Sequence, residues 1–110
     1  MAKQERGALG GTTTMLVLAL LKEREMYGYQ IIEELAQRSN NVFQLKEGTL
    51  YPILHGLEKD KLVTAREAEA PSGRMRRYYR ITARGLAALE EKKAEWQISS
   101  AAVTAILAGT

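Results

Sequence analysis

The sequence predicts a mainly α-helical fold that carries one small β-hairpin and ends in a helix too long for the domain it leaves. Three observations lead there. Apolar side chains recur at helical spacing in four stretches. A turn rich in Pro and Gly separates two segments of alternating character. The last apolar repeat continues to the C-terminus, well past any residue that could cover it. At 110 residues the chain has the size of one domain with one modest core.

The first helix is expected over Thr12–Lys22, where Met15, Leu16, Leu18, Ala19 and Leu21 are spaced for extensive burial and the threonines are available as caps. Residues 1–11 before it read as a flexible arm. A second helix follows Tyr27-Gly28-Tyr29, with Tyr27, Ile31, Ile32 and Leu35 at helical spacing, and stops at Ser39-Asn40-Asn41. Val42–Leu45 reads as a short extended piece. In a third helix Leu50, Ile53, Leu54 and Leu57 share the core side, while Tyr51, Pro52, His55 and Lys59 share the other. With Thr49 as N-cap, Pro52 would fall in the first turn, where a missing N–H does no harm.

Two strands, Leu62–Glu69 and Met75–Ile81, flank the turn Ala70-Pro71-Ser72-Gly73. On the second strand Met75, Arg77, Tyr79 and Ile81 alternate with Arg74, Arg76, Tyr78 and Arg80, so neither face is purely apolar and the hairpin should stand partly away from the core. One of Tyr78 and Tyr79 must pack inward and the other lie at the surface. Thr82 then caps a fourth helix of roughly 25 residues, about 1.5 Å each, carrying Leu86, Leu89, Lys93, Trp96, Ser100, Val103 and Leu107 close to a seven-residue repeat. Its apolar end, Ala101–Leu107, calls for a partner, and a second copy of the chain is the simplest. Leu89, Trp96, Val103, Ile106 and Leu107 are the expected interface residues. The chain thus divides into an arm (1–11), a helix-and-hairpin domain (12–82) and a dimerisation helix (83–110).

Composition removes several functions. The absence of cysteine excludes disulfides, iron–sulfur clusters, thiolate zinc and a cysteine nucleophile, and suits a cytoplasmic location. No apolar run precedes Met15, and Met15–Leu21 is too short to span a bilayer, so neither export nor membrane insertion is expected. With one histidine, His55, and one aspartate, Asp60, the chain cannot assemble an Asp-containing triad or a His-rich metal site. Glu33-Glu34 and Glu90-Glu91 are helical neighbours that do not face each other, and Gly10-Gly11 lacks the lysine of a phosphate loop. No catalytic residue, metal or cofactor is expected.

Binding has more to work with. The net charge is only +3, but five arginines and no acid lie between Pro71 and Leu89. Such a patch is either a solvated face or the footprint of a polyanion. The order helix, helix, short strand, helix, strand, strand is that of a winged helix-turn-helix, in which the third helix enters the DNA major groove and the hairpin, or wing, meets the flanking backbone. Lys46, Thr49, Tyr51, His55 and Lys59 on the third helix, with Arg74, Arg76 and Arg77 on the wing, are the candidate DNA contacts. Arg80, nearer the strand end, is the better candidate for an intramolecular pair. Tyr27 and Tyr29 are expected to fix the second helix, Tyr29 with a phenol that could reach a phosphate.

The runs YGYQIIEEL, EGTLYPILHGLEKDKLV and SGRMRRYYRITARG, in this order and spacing, resemble the PadR family of bacterial transcriptional regulators over roughly residues 12–96. The single long C-terminal helix is similar to the smaller subgroup of that family, which includes a lactococcal multidrug-resistance regulator. The resemblance implies a homodimeric regulator, as a rule a repressor, acting on an inverted-repeat operator in double-stranded DNA and relieved by a small molecule. It also implies that Trp96 stands where the subgroup stacks planar aromatic ligands at the dimer centre, although tryptophan is equally a favoured interface anchor. Two other readings stay open: a winged-helix protein-interaction module, and a multidrug-binding protein whose DNA role is secondary.

Overall fold

The fold is seen in a computed structural model that describes residues 11–110 in full and residues 2–10 as backbone. Met1 and the side chains of residues 2–10 lie outside it; of the expected flexible arm the backbone of residues 2–11 is described, and it is helical. The elements are α1 (Ala2–Glu23), β1 (Met26–Tyr27), α2 (Gly28–Arg38), α3 (Glu47–Lys59), β2 (Val63–Glu69), β3 (Met75–Ile81) and α4 (Ala83–Leu107). The strands form one antiparallel sheet in the order β1-β3-β2.

The most apolar stretch of the sequence lies in α1, where Val17 and Leu18 lose all exposure and Met15, Leu20 and Leu21 nearly all. Around them pack Ile31 and Leu35 of α2, Leu50, Leu54 and Leu57 of α3, Met26, Val63 and Tyr79 of the sheet and Leu89 of α4. The helix runs through Thr12–Thr14 instead of starting there, so the threonines are interior residues and not caps. A threonine costs a helix only a fraction of a kcal/mol.

The end of α2 explains the double asparagine. Asn40 and Asn41 adopt left-handed φ values of 54° and 68°. Asn40 N donates to the Gln37 carbonyl (3.3 Å) and Asn41 N to that of Ala36 (2.7 Å), the paired bonds of a Schellman stop. Beyond it, Val42–Leu45 is not a strand. Its bonds are local, from Phe43 N to Ser39 Oγ (2.9 Å) and from Gln44 Nε2 to the Asn41 carbonyl (2.9 Å). The third place in the sheet is taken by β1, which pairs Met26 with Tyr79 and Tyr27 with Tyr78.

Helix α3 starts three residues earlier than expected. Its N-cap is Lys46, whose carbonyl accepts from both Thr49 N and Leu50 N at 3.0 Å, and Thr49 lies inside the first turn. Pro52 consequently sits in the second turn, where its missing N–H leaves the Gly48 carbonyl without a helical donor. Gly48 is exposed, with open space at its Cα, so water can reach that carbonyl.

The hairpin turns as expected through Ala70–Gly73, closed by Gly73 N on the Ala70 carbonyl (2.8 Å), with Gly73 at φ 89°. Its two faces separate by depth. Val63, Ala65, Tyr79 and Ile81 share the core-facing side near the base, and Tyr79 has no exposure. Toward the tip the same side carries Glu67, Arg77, Glu69 and Met75. At the far end Thr82 caps α4 by accepting from Gly85 N (3.0 Å), while its own hydroxyl lies 2.8 Å from the Lys61 carbonyl. Helix α4 is 25 residues long and every residue from Ala101 onward is exposed, which draws the molecule out to 54 × 28 × 27 Å.

Candidate nucleic-acid interface

Helices α2 and α3, joined by residues 39–46, form the helix-turn-helix. Because Leu50, Leu54 and Leu57 anchor one side of α3 in the core, the periodicity of the helix turns Thr49, Pro52, His55, Gly56 and Lys59 outward, with Lys46 at the start of the same exposed surface. Tyr51 behaves differently. Its ring is half-buried and lies on the backbone of Gly28: a Cβ at that glycine would come within 2.7 Å of the Tyr51 hydroxyl. Its centroid is 6.4 Å from that of His55. Tyr51 thus joins α3 to the start of α2 and leaves only its rim at the surface. The Tyr-Gly-Tyr run contained this signal, since a glycine opening a helix implies a close neighbour.

On the wing, Arg74 is exposed at the turn. Arg76 lies over the Tyr27 ring, 5.2 Å from its centroid, and its Nε is shut off from solvent with no hydrogen-bond partner. Tyr27 meets Tyr78 edge-on at 5.2 Å, and Arg66 lies over the Tyr78 ring at 5.6 Å. Arg66 ends this ladder in a two-pronged bond to Glu25, at 2.8 and 2.6 Å. That bond holds the Glu25 carboxyl below the usual range and raises the Arg66 guanidinium further. The ladder occupies the outer face of the sheet.

Arg77 lies on the other face. It bonds Glu58 near the end of α3 at 2.8 Å and covers the Tyr79 ring at 5.9 Å. The Glu58 bond pushes its guanidinium pKa up. Burial raises the Tyr79 phenol, which Arg77 approaches without hydrogen-bond geometry. Arg77 thus has the intramolecular partner that was expected for Arg80, and exposed Arg80 has no ion pair among the described residues. Strand pairing also changes the charge count, because β2 sets Glu67 directly opposite Arg77, an acid the linear count of β3 missed.

The candidate dimer residues divide. Leu89 is 1% exposed and belongs to the core of the single chain, so it offers a partner no surface. Trp96 is half-exposed (50%), and Val103, Ile106 (74%) and Leu107 are more open still. Trp96 and Val103 also line a groove of ≈ 660 Å³ between α1 and α4, together with Met15, Lys92, Glu95 and Ser100. Among the described residues no three His, Asp or Glu side chains are grouped to hold a metal, and no helix is long and apolar enough to cross a membrane.

Residues 17–91 match the model of the PadR-like family of transcriptional regulators. The chain belongs to that family. Transcriptional regulator Rv3488 of Mycobacterium tuberculosis is 39% identical over 71 residues, 64% of this chain and 63% of its own length. The crystal structure of a PadR family transcriptional regulator from Eggerthella lenta superposes with a TM-score of 0.77 at 33% identity, covering 96% of this chain and 91% of the other. A transcriptional regulator from Clostridium thermocellum gives 0.79 at 30% identity, over 86% and 91% of the two chains. This PadR-like chain is thus a DNA-binding transcriptional regulator built on a winged helix.

Proposed function

We propose that this PadR-like regulator is a cytoplasmic homodimer that binds an inverted-repeat operator sequence-specifically, represses transcription, and is released by a planar aromatic small molecule. It works by binding alone, without catalysis or a cofactor. The observation that carries the reading is the outward face of α3, Thr49 to Lys59, rooted in the core by three leucines and flanked by the wing. In it Thr49, His55 and the rim of Tyr51 read base edges, while Lys46, Lys59, Arg74, Arg76 and Arg77 meet phosphates. Repression needs only occupancy of a promoter.

Dimerisation is favoured by Trp96, Val103, Ile106 and Leu107, apolar side chains left bare along one long helix. The effector reading rests on the half-exposed Trp96 indole in the wall of the α1–α4 groove. A ligand there acts only if it binds two arrangements of the dimer unequally. Electrophoretic shifts of genomic fragments at two salt concentrations test the core of the reading. Arg76→Ala/Arg77→Ala should weaken binding to every sequence and flatten the salt dependence, whereas His55→Ala should mainly lower the preference for the operator. A protein-docking module would show no sequence preference at either salt. Trp96 quenching by planar compounds that leaves DNA binding untouched would favour a multidrug-binding protein instead.

A further inference from the structure

A carboxylate on the last turn of a helix meant for DNA is out of place. It repels phosphate, and it sits at the end of α3 where the helix dipole already concentrates negative charge. Glu58 occupies that position, and the sequence offers no reason for it. The structure supplies one in Arg77, which reaches across from β3 to bond its Oε2 at 2.8 Å. Both side chains remain partly open to solvent, 44% for Arg77 and 33% for Glu58, so the pair can exchange partners. Glu67 lies directly opposite Arg77 in the strand register without forming an ion pair with it. Arg77 has two acidic neighbours and is bonded to the one on the recognition helix.

We propose that Glu58 is an intramolecular competitor for DNA: it occupies the Arg77 guanidinium in the free protein, and a backbone phosphate must displace it to engage the wing. This rests on the reading that the wing meets DNA. The consequence is that the chain binds random DNA less tightly than its arginine content implies, since one wing cation is already satisfied. Opening the pair also reclaims a counterion for Glu58, which offsets part of the release that a phosphate contact provides.

The test uses the full chain with a fluorescein-labelled random-sequence duplex, titrated over a series of salt concentrations, for wild type, Glu58→Gln, Arg77→Ala and the double variant. Each is checked for unchanged thermal unfolding, and Glu58→Ala serves where the glutamine variant is perturbed. Glu58→Gln is expected to bind roughly two- to fivefold more tightly, the range set by exposed ion pairs. Its log–log salt slope should steepen by up to about 0.9, one phosphate contact. In the Arg77→Ala background the same change at Glu58 should give a smaller gain, only that of removing a carboxylate that repels phosphate. A gain that is as large without Arg77 is a net-charge effect and overturns the proposal, as does a Glu58→Gln protein that binds no better than wild type. Arg77→Ala that leaves both affinity and slope at their wild-type values removes Arg77 from the interface, and the reading that this arginine meets DNA fails with it. Arg77→Ala that flattens the slope while Glu58→Gln changes nothing defeats the competitor alone.

Discussion

At the scale of single residues, the glycines separate what holds the fold from what serves the interface. Gly85, in the first turn of α4, has no room for a side chain: a Cβ would lie 2.1 Å from the Leu62 carbonyl oxygen and 2.7 Å from Ile81 Cγ1. That carbonyl cannot yield easily, because it accepts from Thr82 N at 3.0 Å. Gly85→Ala is therefore expected to lose more than ~2 kcal/mol, toward the upper end for overpacked sites, measured by chemical denaturation. Gly56, on the exposed face of α3, has nothing within 4 Å of where a Cβ would stand. There the same substitution should raise stability by about 0.8–1 kcal/mol, the helix-propensity difference. If α3 lies in a major groove, it should at the same time weaken DNA binding, because the methyl group would occupy the approach to the bases. Denaturation and DNA titration of one Gly56→Ala preparation check both signs together.

At the scale of elements, the sheet is held at its outer face by the run Glu25, Arg66, Tyr78, Tyr27, Arg76. The Glu25 carboxyl is pulled below its ordinary value near 4.5, first by the hydrogen bond from Arg66. A depressed carboxyl contributes stability above its unfolded pKa and loses that contribution as pH falls through the folded one. Glu25→Gln should accordingly be less stable than wild type at neutral pH, with the two melting curves converging below about pH 4.5. Constant separation down to pH 3 would mean that the ion pair contributes nothing. These long-range pairs also mark how far the sequence could be read. The end of α2, the hairpin turn and the Thr82 cap were legible because each signal is local: an asparagine pair, Pro and Gly at fixed offsets, a hydroxyl three residues before the amide it caps. Strand β1 was not, since two residues have no period. The start of α3 at Lys46 was not, because its capping uses the backbone and no side chain. Arg66–Glu25 and Arg77–Glu58 join residues 41 and 19 positions apart, and only the folded chain selects them from the other acids available.

At the scale of the whole molecule, the question is how a chain with one recognition helix would address a two-part operator. Helix α4 leaves the domain with Leu89 locked in the core and then runs on with Ile98, Val103, Ile106 and Leu107 bare. A two-fold contact between two such helices would bury each of these side chains twice, once per protomer. Burial of a large aliphatic side chain contributes about 1.5–3 kcal/mol. Ile106→Lys should thus weaken self-association by at least ~3 kcal/mol, a hundredfold or more in dissociation constant. Sedimentation equilibrium across a dilution series measures that directly. The same variant tests the link to DNA. Two recognition helices carried by the proposed dimer would reach half-sites about 34–36 Å apart, one duplex turn, so operator affinity should collapse together with the dimer. A half-turn of DNA inserted between the half-sites should have the same effect on the wild-type protein by rotating one site to the far side of the duplex. An Ile106→Lys chain that sediments as a monomer but keeps wild-type operator affinity would show that each winged helix binds on its own.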